Sequence, residues 1–318
     1  MNSHYDLIGD IHGHAEKLVR LLERMGYQKD GEGYSHPERK AIFLGDYIDR
    51  GPEIRRTLRI VRTMVEQGTA RAILGNHEYN AVCYATPDGK GDWLRKHGEK
   101  EMKQHKETLD QFAANSEDWK NHLEWFKTLP FFLELDGLRA VHAGWDATAI
   151  KILQSHGRMT DEFLFKSVEK TTPAPEHAAV EFVLKAPEVR LPEGYNLKDR
   201  EGHERQEIRF RWWETVKGRT YREISFPPNS LNDYPHPNEL LDNPVPDERV
   251  KGLNPYGPEE PPLFFGHYWL DSKESPIPQA SNIACLDFSA GKDGPVVAYR
   301  WDGEQKLNRT KFVTSRDS

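Results

Sequence analysis

The sequence predicts an α/β fold: a parallel, buried sheet first, then β-rich strands towards the C-terminus. Three observations lead there. Short apolar runs alternate with helix-period stretches over the first 80 or so residues. Those runs are continuously apolar, as in strands covered on both faces. A second series of short apolar runs returns after Pro262.

Tyr5–Gly9 reads as the first strand. His14–Met25 follows as a helix, with Leu18, Leu21 and Leu22 on one face. Ala41–Gly45 is a second strand, and Glu53–Glu66 a second helix with Pro52 at its first turn and Leu58, Val61 and Val65 aligned. Arg71–Gly75 is a third strand, and a helix starts at His77. A polar helical stretch spans Gly98–Leu129; Trp93, Trp119 and Trp125 in this region read as packing anchors rather than ligand contacts. Phe131–Leu135 and Leu138–His142 flank Asp136-Gly137, a strong two-residue hairpin signal. Ala147–Lys185 is helical, broken near Thr172-Pro173. Ser225–Pro262 holds ten of the 21 prolines and reads as an irregular excursion, either a lid or substrate wall or a loop that wraps the core. The closing strands are Leu263–Gly266, Asn282–Asp287, Val296–Arg300 and Lys306–Val313. No internal repeat or clean linker divides the chain. The expectation is one domain over 1–318, with a helical insert at 85–130 and a helical, proline-rich cap or wall at 147–262.

Composition narrows the function. The chain has 318 residues, 30% of them charged, and a net charge of −7. That is a globular composition, and the acidic balance argues against nonspecific nucleic-acid binding. No apolar run reaches the roughly 18 residues of a membrane helix. Tyr5-Asp6-Leu7-Ile8 is too short for a secretory signal, so a cytoplasmic location is expected. Two cysteines, Cys83 and Cys285, make neither a disulfide framework nor a thiolate zinc site. Oligomeric state is left open.

The strand ends carry the chemistry. The first strand stops at Asp10, with His12 two residues on; the others stop at Asp46, Asn76, His142 and His267. In open α/β sheets that edge is where ligands bind. Gly9, Gly45, Gly75 and Gly266 directly precede four of these residues and permit the close approach that a crowded ion site needs. Carboxylate, imidazole and amide ligands without thiolate suit manganese, iron or zinc better than calcium. Six ligands are too many for one tetrahedral ion and fit two ions sharing a bridge, for which Asp46 is the sensible carboxylate. Any one of these residues alone would read as a turn residue, a helix cap or a core histidine; the joint pattern at one sheet edge does not.

Three blocks also resemble a known family. Gly9-Asp10-Ile11-His12-Gly13, Gly45-Asp46-Tyr47-Ile48-Asp49-Arg50-Gly51 and Gly75-Asn76-His77-Glu78 are similar to the signature blocks of calcineurin-like metallophosphoesterases, closest to the phosphoprotein-phosphatase branch. Val141-His142-Ala143-Gly144 and Phe265-Gly266-His267 fit the remaining ligand positions. The resemblance implies a four-layer αββα sandwich of two mixed sheets with a dinuclear site at the strand ends. It implies one ion on Asp10, His12 and Asp46, and another on Asp46, Asn76, His142 and His267, manganese first among the metals. Arg50 would bind phosphoryl oxygens, His77 would protonate the leaving oxygen, and Asp49 would orient His77. Where protein phosphatases of the family show His-Gly-Gly, this chain has His142-Ala143-Gly144. That form, with Tyr268 and Trp269 after His267, looks more like symmetrical diadenosine tetraphosphatases. Arg209 and Arg211 are candidates for a second phosphate-binding arginine, although the stretch also reads as a strand with solvated arginines.

The leading expectation is therefore a two-metal hydrolase of phosphate monoesters, on phosphoproteins or small phosphorylated molecules, by in-line attack of an activated water. The alternative is a dinucleoside polyphosphate hydrolase of the symmetrical bis(5'-nucleosyl)-tetraphosphatase kind, which would stack adenine on aromatics such as Tyr268 or Trp269. A third reading, from another class, is a non-catalytic scaffold that retains the fold.

Overall fold

The first strand, β1 (His4–Ile8), is buried on both faces along Tyr5, Asp6, Leu7 and Ile8, as an interior strand must be. It pairs in parallel with β2 (Arg39–Phe43), which pairs in parallel with β3 (Ala70–Ala72). The chain folds these strands beside one another by crossing over through α1 (Ala15–Arg24) and α2 (Ile54–Glu66). Each helix buries the apolar stripe read from its sequence: Leu18, Leu21 and Leu22 in one, Leu58 and Val61 in the other. The structure is a computed structural model and describes residues 4–198, 204–228, 230–234 and 237–316.

α3 (Asn76–Ala85) follows β3 and is succeeded by α4 (Glu99–Phe112) and α5 (Ser116–Phe126). The single helical stretch expected over 98–129 is thus two helices. Asn115 starts the second by accepting the Asp118 amide at 3.2 Å, a side-chain cap that also stops the first helix. β4 (Phe132–Leu135) and β5 (Leu138–Val141) form the expected hairpin, with Leu135 opposite Leu138 and Gly137 at φ 85°. The helical region 147–185 is three helices: α6 (Ala147–His156), α7 (Asp161–Val168) and α8 (Pro175–Lys185). Gly157 and the Thr160 cap separate the first two, and Pro175 opens the third.

The remaining strands are β6 (Leu263–Phe265), β7 (Ile283–Cys285), β8 (Val297–Trp301) and β9 (Phe312–Thr314). The last begins later than expected, because Asn308 caps a turn of 3-10 helix at Arg309–Lys311. Two mixed sheets result. One has the order β9-β8-β1-β2-β3, the other β7-β6-β5-β4. The sheets meet face to face through Phe264 and Tyr299, whose ring centroids are 5.2 Å apart. α1 and α2 cover the first sheet, and α8 lies over the second with α6 and α7 packed on it, Trp212 filling the space between Phe182 of α8 and Phe265 of β6. The layers are helix, sheet, sheet, helix, the sandwich that the family resemblance implies. Among the described residues, three short two-stranded pairs, such as Gln28–Asp30 with Gly33–Ser35, were not foreseen; at two or three residues a strand they are too short to leave a pattern.

The proline-rich stretch is irregular and held by its apolar residues. Phe226, Leu231, Leu241, Val245 and Tyr256 are buried, and Phe226 packs on Trp213 and Tyr268 at 4.9 and 5.0 Å. These contacts favour the reading of a loop that wraps the core; Pro235 lies outside the described residues. Trp125 is buried and Trp119 half-buried as packing anchors, but Trp93 is 37% exposed and stacks on His97 at 4.8 Å instead. No helix among the described residues is long and apolar enough to cross a membrane.

The two sheets come into backbone contact beside Asp10. A Cβ on Gly9 would stand 2.1 Å from the Leu286 carbonyl oxygen, a backbone atom with no freedom to yield. We expect Gly9→Ala to lower stability by about 1–3 kcal/mol, measured by urea unfolding, through separation of the sheets. An unchanged midpoint would contradict the contact.

Candidate metal centre

Asp10 follows β1, Asp46 follows β2, Asn76 opens α3 after β3, His142 follows β5 and His267 follows β6. The sandwich brings these five strand ends to one place, at residue separations of up to 257. Their turns are unusual. His12, Asp46, Asp49, Arg50, His267 and Trp269 all have φ between 48° and 71°, a region that non-glycine residues rarely occupy. Each such residue costs on the order of 1–3 kcal/mol and persists only where neighbours over-determine it.

Glu78 supplies much of that determination. Its buried carboxylate accepts the amides of Asp46 at 2.9 Å, Tyr47 at 2.8 Å, Ile48 at 3.2 Å and Gly75 at 3.1 Å. The Asp46 carbonyl accepts the amides of Ile11 and His12, which joins the first block to the second. Two glycines are required for space. A Cβ on Gly266 would lie 1.9 Å from Asp10 Oδ1, and one on Gly75 would lie 2.3 Å from Asp46 Oδ1.

Asp46 stands at the centre. Its Oδ2 is 3.5 Å from His12 Nε2 and 3.9 Å from His77 Nε2; its Oδ1 is 3.5 Å from His142 Nε2. Asp10 Oδ2 is 4.0 Å from His12 Nε2. Asn76 Oδ1 lies between His142 Nε2 at 2.9 Å and His267 Nδ1 at 2.8 Å. Two groups of potential ligands emerge, His12, Asp46 and His77, and Asp46, His142 and His267, each with its atoms within 4.8 Å of one another. Asp46 belongs to both.

The donor chemistry fits cations. His12 Nδ1 donates to the Ile48 carbonyl at 3.0 Å, and His142 Nδ1 to the Leu44 carbonyl at 2.8 Å. These bonds turn each Nε2 inward, the orientation a metal ligand needs once that nitrogen carries no proton. His12 Nε2 is buried without a hydrogen-bond partner and faces two carboxylates. A lone pair against carboxylate oxygens is repulsive unless positive charge lies between them. Titration behaviour agrees. Burial pulls His12 down to about 3, so it is neutral at physiological pH. Burial opposes a charge on His142, yet the Asp46 carboxylate drives it up to about 10. Burial and the Asp287 and Asp46 carboxylates push Asp10 well above the usual carboxylate range. Buried carboxylates crowded in this way favour positive charge among them.

Beside the cluster, His77 Nδ1 and Asp49 Oδ2 are 2.5 Å apart. Burial works against ionisation of both groups, but Asp46 and Asp49 raise His77, while His105 and His77 hold Asp49 below its ordinary range. The Arg50 guanidinium lies over the Trp269 ring at 4.1 Å, with Lys292 at 5.5 Å from the same ring.

Of the two further arginines, Arg209 supports the frame of the site: its Nη1 donates to the His267 carbonyl at 2.9 Å. Arg211 is not brought to the cluster and pairs with Glu214 at 3.6 Å. Tyr268, offered above as a base-stacking ring, is 1% exposed and packed among Phe226 and Phe265, so it has no face to offer a ligand. Three participants escaped the sequence reading. Glu78 stood in a quoted block without a role. Asp287 ends a predicted strand and accepts the Trp269 and Ser289 amides at 2.7 and 2.9 Å, so the strand-end rule extended once more would have found it. His105 lies in a polar helix that carried no signal.

The chain is similar to several known proteins. Residues 4–185 match the Metallophos family, calcineurin-like phosphoesterases. The chain is 30% identical over 149 residues to bis(5'-nucleosyl)-tetraphosphatase PrpE [asymmetrical] of Oceanobacillus iheyensis, covering 44% of this chain and 55% of that one. It is 39% identical over 74 residues to the protein of the same name from Halalkalibacterium halodurans, 23% of this chain and 30% of that one. The matches thus span from under a third to about half of those relatives' length. Among solved structures, a protein serine/threonine phosphatase from Saccharomyces cerevisiae aligns over 98% of this chain and 79% of its own, at 13% identity and a TM-score of 0.47.

Glu78→Gln puts an amide NH2 where backbone N–H groups now find an acceptor. We expect metal affinity, followed by calorimetric titration, to fall about 10–100-fold; undiminished affinity would remove Glu78 from the frame of the site.

Proposed function

The chain belongs to the calcineurin-like phosphoesterase family, and from that membership we propose that it is a metal-dependent hydrolase of phosphate esters. The observation that carries this reading is the division of the ligand groups by the two oxygens of Asp46. Asp10, His12 and Asp46 would hold one divalent ion, and Asp46, Asn76, His142 and His267 a second; manganese suits this thiol-free set, as do iron and zinc. When bound, two such ions lower the pKa of a water to about 7 and offset the charge of the transferring phosphoryl group.

The protein's own groups supply the rest. Arg50 offers a planar fork of donors for phosphoryl oxygens, and stacking on Trp269 fixes its plane. In-line attack on phosphorus leaves an oxygen that needs a proton. His77 retains one through Asp49 and presents Nε2 towards the cluster, 3.9 Å from Asp46 Oδ2. It is the general acid of this reading, a role worth roughly 10²–10⁴-fold in rate. Asp49 holds its tautomer.

For the substrate, the reading is a phosphate monoester, for which one arginine and one acid suffice. A dinucleoside polyphosphate is the second reading. The names of the relatives favour it, as does the Arg50–Trp269–Lys292 row, where two cations flank one ring. Phosphopeptide, p-nitrophenyl phosphate and diadenosine tetraphosphate should be assayed side by side with added manganese. Turnover of both monoesters is expected; turnover of the dinucleotide alone would reverse the order of the two readings, and none at all would favour the scaffold.

His77→Asn should keep metal content and slow turnover about 10²-fold or more on esters with poor leaving groups, and far less on p-nitrophenyl phosphate. Equal losses on both would argue against proton donation.

A further inference from the structure

Behind His77 the network runs past Asp49 into the helical region that no signature block contains. Asp49 Oδ1 accepts from His105 Nδ1 at 2.7 Å and from Thr108 Oγ1 at 2.5 Å. Thr108 Oγ1 also accepts the Asp49 amide at 3.1 Å, so one hydroxyl fixes both the backbone and the side chain of Asp49. His105 and Thr108 are three residues apart on α4, which places them on one helix face. All of these groups are buried. The His105 ring lies between Tyr84 and Trp119, with centroids 5.4 and 5.6 Å away. One turn on, Gln111 accepts the Ile54 amide and donates to the Gly51 carbonyl. α4 therefore clasps the whole turn in which Asp49 and Arg50 hold φ 67° and 71°.

This clasp has a chemical consequence. A carboxylate held through one oxygen by two donors cannot rotate, so its other oxygen stays aimed at His77 Nδ1. An untethered Asp49 could turn towards Arg50 and leave the imidazole without direction. We infer that His105 and Thr108 are positioning residues for phosphoester cleavage: through Asp49 they orient His77, so that as the P–O bond breaks its Nε2 proton passes to the leaving oxygen. The inference rests on His77 as the general acid and adds a pair of residues from α4 to that role.

The test compares an alkyl phosphate, a poor leaving group, with p-nitrophenyl phosphate, a good one, on purified protein with added manganese. His105→Ala and Thr108→Val should each lower kcat about tenfold on the alkyl ester, with little change on p-nitrophenyl phosphate, in KM or in metal content. His105→Asn, which restores an N–H donor, should recover part of the loss. In a His77→Asn background the same substitutions should cost nothing more, because they act through a group already removed. Equal losses on both esters, or losses that persist without His77, would overturn the inference. Should His105→Ala fail to fold, the near-isosteric Thr108→Val decides alone. If His77→Asn is itself indifferent to the leaving group, the general-acid reading falls; if it is selective and the α4 variants are not, only the positioning role falls.

Discussion

Asp46 is buried, charged and surrounded by acceptors and imidazoles, and the rest of the site is arranged around that fact. An isolated carboxylate taken out of water would be protonated or expelled. Here burial raises it, but His142 and His77 hold it well below the ordinary carboxylate range. Its backbone amide is spent on Glu78 and its carbonyl on Ile11 and His12, so the residue cannot move to relieve the crowding. Asp10, crowded by Asp287 and Asp46 and buried with them, is pushed well above the usual carboxylate range, so further negative charge beside Asp46 is disfavoured without a positive partner. Cations are the natural complement to such a cage, and each oxygen of Asp46 faces its own group of candidate ligands.

The geometry is costly to build. Six non-glycine residues of the site occupy left-handed backbone, and Gly75 and Gly266 leave room for no side chain. That strain is carried by the sandwich. Parallel strands deliver rigid ends, Glu78 gathers four amides, Asp287 two, and the Arg209 guanidinium takes the His267 carbonyl. Sites assembled this way store energy in the turns and recover it from the sheets, which is why the glycine contacts between sheets matter as much as the ligands.

Outside the sheets, two segments shape what the site can do. α4 holds the turn that carries Asp49 and Arg50, and so joins a helix without signature residues to the His77–Asp49 pair. The proline-rich stretch packs its apolar residues on Trp213 and Tyr268 and thereby keeps Tyr268 inside. Trp269, beside it, stays half-buried, with Arg50 and Lys292 both over its ring. A cation-flanked ring favours anionic groups over a bare base.

Hydrophobic period determined the first three strands and the helices between them, and strand-end chemistry singled out candidate ligands that the fold brings together, because those signals are local: an apolar run, a glycine and a metal-competent residue are neighbours in the chain. The hairpin at Asp136-Gly137 was legible for the same reason. Partners of Asp49 were not. His105 and Thr108 lie 56 and 59 residues from it, in a helix whose pattern is merely polar, and only packing of α4 against the turn gives them meaning. The fate of Tyr268 was equally invisible, since its neighbour Phe226 comes from an irregular stretch with no periodicity to place it. Residue type and spacing decide which atoms are able to bind an ion; which of them converge, and which others hold them still, is settled by the burial of surfaces far apart in the chain.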